Sequence, residues 1–116
     1  MQYRVLAVDL DADGNGEATL LFSEPNAWTG GFVPAVTMVF SPECATYDAT
    51  ITAVLVDLAS GYAHYLTAPY GDPPAHGADS WQPTPNLFCG RGIIIRVTGG
   101  PPNTPGAVTA YPFLGP

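Results

Sequence analysis

The sequence predicts an all-β fold, a single antiparallel sandwich of seven or eight strands, and three observations lead there. Thirteen glycines and thirteen prolines interrupt the chain, roughly every eight to fifteen residues, too often for helices of ordinary length. Between them lie short β-branched runs that alternate at period two. A chain of 116 residues can bury roughly two thirds of its unfolded surface, enough for one core.

Strands are expected over Tyr3–Leu10, Ala18–Ser23, Ala35–Ser41, Thr50–Leu58, Tyr62–Ala68, Gly92–Thr98 and Ala107–Leu114, with a short eighth segment at Leu87–Cys89. In the first, Leu6, Val8 and Leu10 alternate with Ala7, Asp9 and Asp11, so one set faces a core and the carboxylates face water. Asp13-Gly14-Asn15-Gly16 tolerates positive φ, which predicts a hairpin between the first two strands. Ala59-Ser60-Gly61 predicts a second hairpin, and the loop 99–106 a third, joining Ile93–Thr98 to Ala107–Tyr111. The run Ile93–Ile95 suggests a central, doubly covered strand. Pro34 and Pro112 lack a ladder donor, which places them at strand ends or on an edge. No segment is convincingly helical. The whole chain, 1–116, reads as one domain with a long Pro/Gly-rich loop at 69–86, an arm that could reach a neighbour.

Charge narrows the function. Ten acidic residues oppose three basic ones for a net charge of -7, and lysine is absent. Arg4, Arg91 and Arg96 are too scattered to follow a phosphate backbone, and an anionic membrane would repel the chain. No apolar run is long enough to span a bilayer, and Asp9 interrupts the apolar start before a signal-peptide core forms, so the chain reads as soluble and unprocessed. Only 11% of residues are charged while 47% are hydrophobic, against roughly 25% charged in ordinary soluble domains. A surface this poor in charge points to lateral protein partners and a homo-oligomer; a neutral, Thr-rich β surface that needs no partner is the alternative.

Few residues suggest chemistry. Asp9, Asp11, Asp13, Asn15 and Glu17 place oxygen ligands at alternating positions before glycines, as in the opening of an EF-hand loop, which makes calcium the one candidate ion. The expected twelfth-position glutamate is Leu20, however, and an acidic hairpin tip explains the same residues. Cys44 and Cys89 could form one disulfide or remain free buried thiols. His64 and His76 have no spacing that gathers zinc ligands. No serine lies in a nucleophile elbow, so the chain is not expected to be an enzyme. Trp28, Phe32, Tyr70 and Trp81 lie in or beside loops, where aromatics anchor interfaces or plug sandwich ends.

The C-terminal stretch Leu87–Tyr111 has a Gly92-led apolar strand, a Thr98-Gly99-Gly100 turn and a closing strand from Ala107. This pattern resembles the ending of small bacteriophage virion proteins. The resemblance implies a jelly-roll or immunoglobulin-like sandwich that acts as a structural virion component, above all a capsid decoration or cement subunit. Head-to-tail or tail accessory proteins are the alternative within virions. The implied partners are major capsid or tail subunits, and the implied location is the virion, assembled in the host cytoplasm. A calcium- or carbohydrate-binding β module is the reading from another class, resting on the Asp9–Glu17 segment and the loop aromatics.

Overall fold

The computed structural model describes residues 2–22, 31–47, 49–67 and 79–115. As the alternation predicts, Leu6, Val8 and Leu10 are buried while Ala7, Asp9 and Asp11 are exposed. This first strand comes in two pieces, β1 (Gln2–Tyr3) and β2 (Leu6–Val8), both antiparallel to the last strand β11 (Val108–Leu114) in one unbroken register. The interruption has a covalent cause. The Arg4 N–H donates to the Pro112 carbonyl at 3.2 Å, but Pro112 has no N–H to return the bond. Pro112 therefore lies mid-strand in a strand paired on both sides, not at the end or edge that the sequence suggests. Its missing donor falls on the β1 side, and the neighbouring Phe113 N–H still reaches Ala35 on the other side at 2.8 Å.

β11 also pairs with β5 (Val36–Phe40), which pairs with the edge strand β8 (Ser80–Trp81). The facing sheet runs β3 (Gly16–Leu21), β10 (Gly92–Thr98), β6 (Thr52–Asp57), β7 (Ala63–Tyr65). A separate two-stranded ribbon joins β4 (Phe32–Val33) to β9 (Leu87–Phe88). With β1 and β2 counted as one strand and the ribbon set aside, the sheets have chain order 1-8-3-6 and 2-7-4-5. That is the strand order of a jelly roll. An immunoglobulin-like sandwich would keep its first two strands in one sheet, and here they lie in different sheets.

Two of the three expected hairpins are therefore crossings between sheets. β2 pairs with β11 and β3 with β10, so the Asp11–Asn15 turn carries the chain across the sandwich. The loop 99–107 likewise carries it from β10 back to β11. Only β6 and β7 form the expected hairpin. Its turn is set by Gly61 at φ 76° and by Asp57, whose carboxylate accepts from the Ala59 N–H and the Ser60 hydroxyl at 3.0 Å each.

The inner faces of both sheets merge into one core containing Val8, Met38, Leu55, Ile93, Ile95, Val97 and Val108, all fully buried; each large one contributes about 1.5–3 kcal/mol. β10 is central, as expected, but Ile94 on its outer side is only half-buried. One unexpected helical turn, α1 (Pro42–Ala45), follows β5. Ser41 caps it by accepting from the Cys44 N–H, Pro42 opens it and Glu43 sits in its first turn, a start pattern present in the sequence. The described part of the long loop is not an arm. Residues 79–83 pair along β5, with Phe40 N–H donating to Asp79 and Val36 N–H to Pro83.

Candidate functional site

The acidic segment Asp9–Glu17 is used by the fold itself. Asp11 Oδ1 accepts from the N–H groups of Asp13 and Asn15 at 2.9 and 3.0 Å. Asp9 Oδ1 accepts from Gly106 N–H at 2.6 Å, and Asn15 Oδ1 from Gly99 N–H at 3.4 Å. Glu17 pairs with Arg96 across β3 and β10 at 3.1 Å, both about half exposed. Asp13 is exposed at the turn. Four of the five expected calcium ligands are thus engaged within the protein, and Asp11, Asn15 and Glu17 border one open depression together with Arg96. Among the described residues no group of three or more His, Cys, Asp or Glu is placed to hold a metal.

What these oxygens secure is a corner where the two crossing loops meet. Leu10 N–H donates to Thr104, Asn103 N–H to Asp11 and Gly100 N–H to Gly14. The loops lie so close that a Cβ on Gly14, itself at φ 76°, would sit 2.1 Å from the Gly100 carbonyl oxygen.

Cys44 and Cys89 are both buried and free, so the bridge that the sequence allows is not formed. Cys44 follows the Phe40 end of β5, whereas Cys89 donates its N–H to Gly31 beyond the Val36 end. Burial raises the Cys89 thiol to about 11, with the Asp57 carboxylate adding to it. Burial also raises Cys44, partly opposed by the Ser41 hydroxyl, while Glu43 adds to the rise.

Among the aromatics expected at an interface, Trp81 is a plug in the sandwich side. Its ring packs on the core and its Nε1–H donates to the Leu66 carbonyl at 2.8 Å, joining the two sheets. Phe32 is half-buried against Phe88, ring centroids 4.7 Å apart. Trp28, Tyr70 and His76 lie outside the described residues. His64 packs beside Tyr62, centroids 4.3 Å apart.

The surface that stands out is one the loop aromatics did not indicate. On the face of the β11-centred sheet turned away from the core, register aligns Tyr3, Val5 and Ala7 with Phe113, Tyr111 and Thr109, then with Ala35, Thr37 and Val39, and Gln82 and Ser80 border them. No charged side chain interrupts this face among its described residues. Tyr3, Val5 and Val39 are 55, 58 and 42% exposed, too much for core residues. Asp9 stands only at the rim, tied to Gly106. The outer face of the other sheet, by contrast, carries the Glu17–Arg96 pair. The sequence does hold the signal, because the first and last strands are apolar at both parities and not only at the core-facing one.

No protein-family model matches the chain, and neither the curated proteins nor the solved structures give a match.

Proposed function

We propose that the chain is a structural subunit of a bacteriophage particle, a capsid decoration or cement protein that acts by packing against other subunits. The uncharged outer face of the β11-centred sheet, on which Tyr3, Val5 and Val39 are exposed, carries this reading, since such side chains gain by being covered. The phage setting rests on the resemblance of Leu87–Tyr111. The jelly roll supports it as fold-level analogy only, because viral capsid domains, lectins and cupins all use this architecture. A direct test is mass spectrometry of gradient-purified phage particles from cultures of the source. Recovery of the chain in fixed proportion to the major capsid subunit is expected. Its absence from intact particles would reject the virion role.

A further inference from the structure

We propose that the outer face of the β11-centred sheet is the contact surface for a second copy of this chain, related by a two-fold axis. The inference rests on the packing function above and names the occupant. Electrostatics directs any contact between like copies to this face. Two copies that each carry a net charge of -7 repel wherever carboxylates oppose one another, and a face clear of charge lets them meet without that cost. A basic partner would instead be drawn to acidic surface such as the Asp9–Asp13 corner.

Shape agrees with self-contact. In a two-fold contact the same patch meets itself, so it must carry both projections and recesses. Val5 and Val39 project from this face, and beside them Tyr3, Thr37, Tyr111 and Phe113 border a shallow apolar depression of about 180 Å³. Tyr3 meets Tyr111 and Phe113 with ring centroids 6.0 and 6.2 Å apart. The walls of the recess are thus held before any partner arrives, which reduces the ordering cost of association. Strands about 4.8 Å apart and five to seven residues long give a face of about 400 Å² in projection. That is small among specific interfaces, so the dimer is concentration-dependent and not obligate.

Sedimentation velocity on the intact chain from about 1 μM to about 1 mM tests this. The wild type should pass from monomer to dimer. Val39→Glu and Val5→Glu, which set like charges against each other across the axis, should each weaken dimerisation at least about tenfold, with unchanged far-UV circular dichroism. Tyr65→Glu, on the outer face of the other sheet, should leave the isotherm unchanged. A wild type monomeric throughout, a trimer, or a dimer indifferent to both valine substitutions would overturn the two-fold contact while leaving the particle assay to judge the proposed function. Conversely, a dimer broken by both substitutions in a chain missing from particles would retain the contact and remove the virion role.

Discussion

Asp11 shows why the acidic segment reads as a metal loop and acts as a turn. One carboxylate oxygen accepts from two backbone N–H groups, so Asp11→Ala should lower stability by about 1–2 kcal/mol. The loss should be the same with or without calcium, and calcium should leave the wild-type Tm unmoved in calorimetry. Cys89 offers a second single-residue test. Its folded thiol titrates near 11 against an ordinary 9.0, so the neutral form is what the fold favours. The associated stability is whole below pH 9 and is lost as pH rises through about 11, at up to about 1.4 kcal/mol per pH unit. Denaturant unfolding over that range should show this slope reduced in Cys89→Ala, above whatever constant loss the smaller side chain brings.

At the level of elements, the corner between the crossing loops separates two costs that glycine usually combines. Gly14 and Gly61 share φ 76°, but a Cβ at Gly14 would strike the Gly100 carbonyl, whereas nothing lies within 4 Å of one at Gly61. Gly61→Ala should therefore cost only the left-handed strain of about 1–2 kcal/mol. Gly14→Ala should cost clearly more, since the two loops must part, and paired thermal melts will measure the difference. The strands themselves were largely legible, because alternation at Leu6, Val8 and Leu10 or at Ile93, Ile95 and Val97 reports burial directly. Their pairing was not. The Asp11–Asn15 turn looks like a hairpin in sequence and is a crossing in space.

For the whole molecule, the jelly roll makes nearly every strand neighbour distant in sequence. β1 pairs with β11, β3 with β10 and β5 with β11; among the described residues only β6 and β7 are consecutive partners. Loop closure must precede most of the stabilising contacts, so stopped-flow refolding should fall in the range of milliseconds to seconds and not microseconds. The same topology assembles the candidate interface, since Tyr3, Thr37 and Phe113 come from opposite ends and the middle of the chain. Trp81 turned inward to bridge the sheets, while Val5, between β1 and β2, and the strand residues Val39 and Tyr111 lie on the uncharged surface.

The sequence by itself determined the all-β class, the inward set of side chains, the positions of the turns and a low fraction of charged residues. These are local properties, written in period, turn chemistry and composition. Only the tertiary structure decided which sheet each strand joins. An apolar parity buries a side chain equally well whether the next strand lies beside it or across the core, so alternation cannot tell a hairpin from a crossing. It also decided that Asp9, Asp11 and Asn15 bind backbone amides, because the loop that supplies two of those amides, from Gly99 and Gly106, lies more than eighty residues away along the chain.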